Sequence, residues 1–254
     1  MIVINDIFYS IQGEGYYIGT PAIFVRTQGC NLRCGFCDTK EAQEREIKNS
    51  LSQWYTSDLA RKLVGMIIEH KCNYIVFTGG EPLLLRENLG DLIYLIDEEI
   101  KSQIGIYKAN QLHYGIETNG SLDLAECAIK PYHWKQISIC LSPKVNKGNP
   151  SYIDSSFYAH CIYEKNNFKR VSLKLLYPFY LLYGKEYTAL HFDDHYVQPL
   201  VVDVEYNLFR TVEKTHSEWI DYYSLACKQL ITDLNKFGSM WKLSIQLQKL
   251  LGIK

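Results

Sequence analysis

Apolar segments of strand length alternate with amphipathic segments of helix length along most of the chain. The apolar runs lie at 21–28, 73–79, 112–118, 136–141, 170–177 and 195–199. Helical periodicity fills two of the intervals between them and returns at about 213–236. Strands separated by helices pair in parallel through right-handed crossovers. We therefore predict an α/β fold, a partial TIM-like barrel of about six parallel strands, in one domain over residues 1–254.

Two parts of the chain are longer and more polar than the usual connections in such a fold. They cover residues 40–57 and 145–196, and the second encloses the strand at 170–177 and is rich in tyrosine. Long connections in compact domains commonly form lids, binding loops or interfaces. We interpret both segments as loops inserted into the single domain.

The charge balance of the chain limits its partners. The 254 residues include 27 basic and 28 acidic side chains, which gives a net charge of -1. This balance argues against general attraction to nucleic acids or to membranes. No run reaches the ~18 consecutive apolar residues of a membrane span, and the first ten residues lack the pattern of a secretory signal. We expect a cytoplasmic protein that binds neither nucleic acid nor membrane.

Eight cysteines are present, and cytoplasmic thiols are kept reduced, so we expect no disulfide framework. Five of them are scattered among apolar neighbours, and we predict that they are small buried residues: Cys72, Cys127, Cys140, Cys161 and Cys227. The other three, Cys30, Cys34 and Cys37, lie within eight positions. This spacing indicates that one loop brings three thiols to one place.

The number of clustered cysteines distinguishes between metal centres. A structural zinc site needs four ligands, commonly as two separated pairs, and the sequence offers no second pair. A [4Fe-4S] cluster has four irons, so three thiolates leave one iron open to a ligand that is not protein. The cluster therefore accounts for both the number of cysteines and the missing fourth ligand.

The other unusual polar residues follow the predicted strands. They are Cys30, the run from Thr78 to Glu81, the run from Glu117 to Asn119, the run from Ser142 to Lys144, and the pair Gln198 and Pro199. In barrels of parallel strands the carboxyl ends of the strands build the active site. We expect these residues to meet at one rim.

The C-x3-C-x2-C spacing, with Phe36 before the last cysteine, resembles the radical S-adenosylmethionine (SAM) superfamily. The Gly-Gly-Glu element at 79–81 also matches. The resemblance implies a [4Fe-4S] cluster on Cys30, Cys34 and Cys37 whose open iron is chelated by SAM. It also implies that the reduced cluster cleaves the sulfonium to give a 5'-deoxyadenosyl radical. Glu81, with the glycine backbone, would bind the methionyl amino group.

Motifs on either side of the cysteines narrow the resemblance to one family of this superfamily. The segments "FYSIQGEG", "RTQGCNLRCGFCDTK", "TGGEP", "IETNGS", "LSPK" and "VQPL" occur in this order. Together they resemble the 7-carboxy-7-deazaguanine synthase family. This implies conversion of 6-carboxy-5,6,7,8-tetrahydropterin to 7-carboxy-7-deazaguanine with loss of ammonia, in queuosine or other 7-deazapurine biosynthesis. It also implies Mg2+, a reductant of the flavodoxin or ferredoxin type, and a homodimer.

The resemblance assigns roles to matching positions. Residues implied to bind the pterin are Ile11, Gln12, Gly13, Glu14, Arg26, Thr78 and Glu117. Arg26 and Glu117 are also implied in catalysis, with the Arg26 fork suited to the substrate carboxylate. Thr39 would supply a hydroxyl ligand to Mg2+, together with substrate oxygens. Contacts to SAM are implied for Phe36, Cys37, Asp38, Gly80, Glu81, Asn119, Ser142, Pro143, Lys144, Gln198, Pro199 and Leu200, although Asn119 is equally suited to closing a turn.

The chain departs from the family pattern at two places. Leu247 and Gln248 stand where the family often has Thr and His, and Ser172 replaces a Glu, while Lys174 is retained. Gln248 can form hydrogen bonds with the substrate but cannot carry a proton at neutral pH. Lys254 is also expected near the substrate, because the family's chain end folds over the pocket.

Two other functions stay open. The first is a different radical SAM enzyme, such as a glycyl-radical-enzyme activase, because "ETNG" also recurs in activases. The second is a non-catalytic iron–sulfur or zinc-binding protein, which the departures at Ser172 and Gln248 favour. The segments around Gln12 and Glu117 favour the pterin substrate over the activase.

Overall fold

The main sheet contains nine strands, most of them parallel. The computed structural model describes residues 1–44, 53–146, 149–150, 168–177, 192–199, 216–237 and 241–253. The strands are β1 (Ile2–Ile11), β2 (Pro21–Thr27), β3 (Gln53–Trp54), β4 (Tyr74–Gly79), β5 (His113–Thr118), β6 (Ile137–Leu141), β7 (Val145–Asn146), β8 (Asn149–Pro150), β9 (Arg170–Tyr177), β10 (Asp194–Pro199) and β11 (Trp241–Leu243). The helices are α1 (Thr56–His70), α2 (Glu87–Gln103), α3 (Ile106–Ala109), α4 (His216–Phe237) and α5 (Leu247–Leu250).

Strand order in the sheet is β11-β10-β9-β6-β5-β4-β2-β1-β3, with β7 and β8 forming a separate hairpin. Within the main sheet, β2, β4, β5, β6, β9, β10 and β11 pair with one another in this order, and each of these pairings is parallel. All six predicted strands are present, and the short β11 adds a seventh parallel strand at the edge. The predicted α/β fold with a partial barrel of parallel strands is therefore confirmed.

Neither β1 nor β3 was predicted from the sequence. β1 pairs antiparallel with β2, and the register shifts between Ile4 and Asp6. This irregularity and its polar residues disrupt the alternation that marks a strand. β3 pairs with the start of β1 and lies inside the segment predicted as the first insertion. Residues 45–52 and much of 145–196 lie outside the described residues, so the two insertions stay predictions.

The outer face of the sheet packs against the helices. Ile23, Ile75 and Ile116 point outward from β2, β4 and β5 and are fully buried. Helices α1 and α2 contribute apolar residues at helical spacing: Leu59, Leu63, Ile67, Leu89, Leu92, Ile93 and Ile96. The inner face of each strand is free to carry polar groups because the outer face supplies the core.

The open side of the barrel is crossed by two chain segments. We call residues 12–20 the N-terminal loop and residues 244–250 the C-terminal segment. Gly13 O accepts a hydrogen bond from Leu247 N at 3.0 Å, and Gly15 N donates to Ser244 Oγ at 3.1 Å. The N-terminal loop follows β1 and the C-terminal segment follows β11, so these contacts join opposite sides of the sheet.

The helices of the described residues lack the combined length and apolar character of a membrane-spanning helix. The longest helix, α4, has 22 residues. Neither it nor any other helix in this part of the chain is both long and apolar enough to span a bilayer.

Candidate active site

A cavity of about 230 Å3 lies at the carboxyl ends of the parallel strands. Nearly all the described residues that the sequence assigns to substrate, SAM or metal line this one cavity. They are Ile11, Gln12, Gly13, Glu14, Arg26, Cys30, Cys34, Phe36, Cys37, Asp38, Thr39, Thr78, Gly80, Glu117, Asn119, Ser142, Lys144, Gln198 and Gln248. The expected meeting of these residues at one rim is thus observed.

Five assigned residues are not part of this lining. Glu81, Pro143 and Pro199 are buried behind the cavity wall. Leu200 and Lys254 lie outside the described residues. Their roles stay predictions, and for Glu81 the hydrogen bonds show which neighbours it holds.

The three clustered cysteines lie in the loop that follows β2. Cys30 is buried, whereas Cys34 and Cys37 are half-buried, and Cys37 N donates to Cys34 O at 3.2 Å. Burial raises the pKa of all three thiols, that of Cys34 to about 11. Bound metal would favour the thiolates, because its charge offsets the cost of burying theirs.

The three thiols match the protein donor set of a [4Fe-4S] cluster with one open iron. Among the described residues, no group of three or more His, Cys, Asp and Glu side chains is placed to hold one metal ion. In a [4Fe-4S] cluster each cysteine binds a different iron, so the sulfurs stand farther apart than around zinc. Three thiols facing one cavity from a single loop match that donor set.

The Gly-Gly turn after β4 packs directly against the cysteine loop. Gly79 has φ +113, a conformation that favours glycine, and a Cβ on Gly80 would lie 1.9 Å from Gly29 O. Gly80 N donates to Thr27 O at 3.1 Å, and Glu81 N donates to Gly29 O at 2.9 Å. Both glycines are therefore required for the turn to approach the loop that carries the cysteines.

Glu81 is almost completely buried, and its carboxylate faces the turn after β5. It accepts hydrogen bonds from Thr118 Oγ1 at 2.7 Å, Asn119 N at 2.8 Å and Leu83 N at 3.1 Å. Burial raises its pKa, while these donors favour the ionised form. Glu81 thus positions the turn that presents Asn119, and the cavity receives the Gly80 backbone rather than this carboxylate.

Glu117 is held by two other residues that the sequence assigns to substrate binding. Its Oε1 accepts from Gln12 Nε2 at 2.9 Å, and its Oε2 accepts from Thr78 Oγ1 at 2.8 Å. The three side chains come from the N-terminal loop, β4 and β5. Each carboxylate oxygen has one protein donor, which fixes its orientation and leaves a second lone pair for a ligand.

Glu14 and Lys174 form a buried ion pair in the same cavity. Gln246 Nε2 and Gln248 Nε2 donate to Glu14 Oε1 at 3.1 and 3.4 Å. Burial opposes ionisation of Glu14, but Lys174 outweighs it and lowers the Glu14 pKa. For Lys174 the carboxylate likewise outweighs burial and raises the pKa. Both groups are therefore charged at neutral pH.

Arg26 crosses the cavity near the cysteine loop. Its guanidinium lies 5.4 Å from the centroid of the Phe8 ring, and Nη1 donates to Thr39 Oγ1 at 3.3 Å. An ion pair of 3.8 Å with the largely exposed Glu41 is its carboxylate contact. The Nε atom is buried and has no hydrogen-bond partner in the part of the chain that the structure describes.

Three buried polar atoms on the cavity wall have no partner among the described residues. They are Arg26 Nε, Gln198 Oε1 and Gln248 Oε1. Buried polar groups in native proteins are normally hydrogen-bonded, and each one left unpaired costs about 1–3 kcal/mol. Their positions on the cavity wall indicate that polar ligands bind there and supply both donors and acceptors.

Sequence reasoning missed several residues of the cavity wall. Cys140, predicted to be a small buried residue, instead lines the cavity between Glu117 and Lys174 in neighbouring strands. Its position two residues before Ser142 and two after Ser138 places it on the inner face, and this alternation was the available signal. Gln246 was also missed, because only its neighbour Gln248 was compared with the family pattern. Cys72 and Cys127 are buried as predicted, Cys227 is only half-buried on α4, and Cys161 lies outside the described residues.

Known proteins resemble this chain in sequence over part of its length. A profile of the radical SAM superfamily matches residues 24–139. The 7-carboxy-7-deazaguanine synthase of Buchnera aphidicola subsp. Schizaphis graminum is 38% identical over 157 residues, which cover 57% of this chain and 63% of the relative. That of Thermoplasma acidophilum is 40% identical over 123 residues, which cover 48% and 49%. The chain thus spans less than two thirds of the length of these relatives.

Solved structures show the same fold. QueE from Escherichia coli superimposes with a TM-score of 0.59 at 22% identity, over 97% of this chain and 94% of that one. SuiB of Streptococcus suis bound to S-adenosylmethionine gives 0.51 at 17% identity, over 86% and 48%. A radical SAM domain implies a [4Fe-4S] cluster and SAM. Residues 24–139 are similar to the radical SAM superfamily, and the sequence resembles the 7-carboxy-7-deazaguanine synthases.

Proposed function

We propose that the chain converts 6-carboxy-5,6,7,8-tetrahydropterin to 7-carboxy-7-deazaguanine with loss of ammonia, as a step of 7-deazapurine biosynthesis. The observation that carries this proposal is the arrangement of one cavity. Three thiols face it from one loop, and the Gln12–Glu117–Thr78 hydrogen bonds lie on its wall. A radical source and a site for a polar heterocycle therefore share the same space.

The substrate end of the cavity offers complementary groups for a pterin. Gln12 and Glu117 present amide and carboxylate groups to the edge of a ring that has several N–H groups and a carbonyl. Arg26, with Nε unpaired, supplies a fork for the pterin carboxylate. Gln248 adds an acceptor, because its Nε2 is directed to Glu14 and its Oε1 has no hydrogen-bond partner among the described residues.

The end of the cavity next to the cysteine loop offers groups that suit the [4Fe-4S] cluster and SAM. Cys30, Cys34 and Cys37 would hold the cluster, and when bound the cluster and SAM supply the one-electron chemistry that starts a radical reaction. Gln198 Oε1 is available to accept a hydrogen bond from SAM. Lys144 lies on the wall and donates to Ser142 Oγ at 2.7 Å, and it would pair with the SAM carboxylate.

Mg2+ at Thr39 forms part of the proposal. Thr39 lies beside both Arg26 and Asp38, with Oγ1 donating to Asp38 Oδ1 at 3.2 Å. One hydroxyl and waters leave positions for pterin oxygens, which Mg2+ accepts readily. Titration of Mg2+ in the assay is expected to lower the KM for the pterin, and an unchanged KM would remove the metal from the proposal.

The partners follow from the same resemblance. A one-electron donor of the flavodoxin or ferredoxin type would reduce the cluster, and two copies of the chain would associate as a homodimer. Sedimentation of the reconstituted protein tests the second point. A cytoplasmic location stays a prediction of the sequence.

Direct turnover tests the function. Anaerobically reconstituted protein, reductant, SAM, Mg2+ and 6-carboxytetrahydropterin are expected to give 7-carboxy-7-deazaguanine and ammonia, measured by mass spectrometry and an ammonia assay. Arg26→Gln should remove most of the product. Arg61→Gln alters an exposed arginine paired with Asp58 on α1 and serves as the matched control.

The same experiment separates the alternatives. Cleavage of SAM without turnover of the pterin would contradict the proposal and favour another radical SAM reaction. Protein that binds zinc, with no acid-labile sulfide, would favour a non-catalytic metal protein. Absence of product from a preparation with an intact cluster rejects the synthase activity.

A further inference from the structure

The C-terminal segment contacts the two loops that build opposite ends of the cavity. On the N-terminal loop it bonds the backbone of Gly13 and Gly15, and Gln246 Nε2 donates to Glu14 Oε1 at 3.1 Å. On the cysteine loop it reaches Asp38, the residue that follows Cys37. The segment is therefore shared by the substrate end and the cofactor end.

The contact with Asp38 is an ion pair. Lys249 Nζ lies 2.5 Å from Asp38 Oδ2, and Gln246 Nε2 donates to the same oxygen at 3.4 Å. The Lys249 side chain is 34% exposed and that of Asp38 is 44% exposed. Water and salt reach this pair, so its strength depends on ionic strength.

The C-terminal segment is anchored from behind. Tyr223, on α4 and 1% exposed, accepts a hydrogen bond from Gln246 N at 2.8 Å. Leu251 N and Leu250 N close the short helix α5 on Leu247 O and Gln246 O. Lys249 therefore extends from a segment that is itself held in place. Its ion pair with Asp38 can restrain the more exposed cysteine loop.

We propose that Lys249 is a positioning residue that holds the Cys37–Thr39 end of the cysteine loop against the C-terminal segment, in the place that SAM binding requires. The segment is joined to the N-terminal loop, so the restraint links the cofactor end of the cavity to the substrate end. Lys249 acts through Asp38 and is not among the residues that line the cavity. This inference rests on the proposed function only in assuming that SAM binds beside Asp38.

Hydrogen exchange of the apoprotein tests the restraint without any cofactor. In Lys249→Gln the amides of residues 34–40 are expected to exchange about two- to fivefold faster than in the unaltered protein, the range for a partly exposed ion pair. About 1 M NaCl should abolish the difference, because it screens the pair. Lys249→Arg keeps the charge and should restore slow exchange. Lys228→Gln, an exposed lysine on α4, is the matched control.

Binding of SAM provides a readout that a purely structural role would not move. Equilibrium binding to reconstituted protein, with no pterin present, is expected to give a two- to fivefold higher Kd in Lys249→Gln and an unchanged Kd in Lys249→Arg. An unchanged Kd or unchanged exchange in Lys249→Gln would overturn the proposal. So would faster exchange throughout α2, which would indicate general destabilisation. These measurements do not require synthase turnover, so failure of that activity would be recognised separately.

Discussion

Glu14 and Lys174, 160 positions apart in the chain, form a buried ion pair on the wall of the candidate active site. The pair joins the N-terminal loop to β9 and so fixes the side of the cavity that Gln246 and Gln248 complete. Both side chains are less than 15% exposed, with 13% for Glu14 and 8% for Lys174. Burial on this scale means that neither charge is tolerated without the other.

Removing one member should therefore destabilise the protein strongly. Lys174→Met leaves the Glu14 charge unpaired, and we expect a loss of about 3–5 kcal/mol in the free energy of unfolding at pH 7. Urea denaturation measures it. Arg61→Met, which breaks an exposed pair with Asp58 on α1, should cost under about 1 kcal/mol. A cost for Lys174→Met as small as this control would contradict the account.

The pH dependence of the pair follows from its pKa shifts. The Glu14 pKa is lowered, so its contribution is present above the unfolded value of 4.5 and is lost as pH falls through the folded value. The Lys174 pKa is raised, so its contribution is present below the unfolded value of 10.5 and is lost as pH rises through the folded value. The double variant Lys174→Met, Glu14→Gln should be more stable than Lys174→Met alone.

Gly13 packs so closely on Gln248 that any side chain at this position should disturb the substrate end. A Cβ on Gly13 would lie 1.5 Å from Gln248 Oε1 and 3.0 Å from Gln248 N. The Gln248 side chain must therefore move out of its place in Gly13→Ala, and we expect the pterin KM to rise about tenfold or more with the cluster content unchanged. Gly65→Ala, where a Cβ meets open space on α1, should leave the KM unaltered and stabilise the helix by about 0.5–1 kcal/mol.

Gln248 replaces a histidine of the family pattern, so its substitution should change the pH profile. A histidine here would lie near Glu14, whose carboxylate favours the charged imidazole and raises its pKa above ~6.5. In Gln248→His we expect kcat/KM to acquire a new ionisation at about pH 7, which the unaltered protein lacks at this position. Profiles of identical shape would show that residue 248 does not contact the reacting substrate.

Each cysteine of the cluster loop should be required for iron binding. Anaerobic iron and sulfide analysis of Cys30→Ala, Cys34→Ala and Cys37→Ala is expected to show loss of most of the cluster, since each thiolate binds its own iron. Cys72→Ala is the control, because Cys72 is buried beside Pro21 and Tyr74, where its thiol donates to backbone carbonyls. Retention of a full cluster in any of the three variants would contradict the assignment.

The sequence predicted the parallel strands and the cysteine loop because both depend on local patterns. The runs that became β2, β4, β5 and β6 each pair a buried outward face with a polar residue at the carboxyl end. Parallel pairing then brings those ends together whatever the loops do. β1 was not predicted because its bulge and polar residues break the alternation of apolar and polar residues that marks a strand.

What the sequence did not predict depends on contacts between distant segments. The hydrogen bonds of the Glu81 carboxylate with Thr118 and Asn119, far along the chain, were not predicted, and its expected role in SAM binding stays a prediction. Cys140 was read from its apolar neighbours, although only the pairing of β6 with β5 and β9 places it beside the cavity. The pairs formed by Glu14 and Asp38 with the C-terminal segment follow from closure of the barrel, which no local pattern encodes.

His113 gives the last prediction, a dependence of stability on pH. Its ring is 6% exposed, stacks on Tyr74 at 4.2 Å between centroids, and is 2.8 Å from Ser138 Oγ through Nε2. Burial, assisted by Lys169, lowers its pKa to about 3. The neutral ring therefore contributes stability that is present above the unfolded pKa of 6.5 and falls as pH drops toward the folded value.

Between pH 7 and pH 5 this histidine alone should cost about 2 kcal/mol of the free energy of unfolding, because the unfolded chain binds a proton that the folded chain does not. Urea denaturation at the two pH values should show a loss in the unaltered protein that exceeds the loss in His113→Gln by about that amount. His70→Gln, which alters a less buried ring stacked on Tyr9, should keep the full pH dependence. Equal losses in the unaltered protein and in His113→Gln would mean that the folded state protonates His113 as readily as the unfolded chain does.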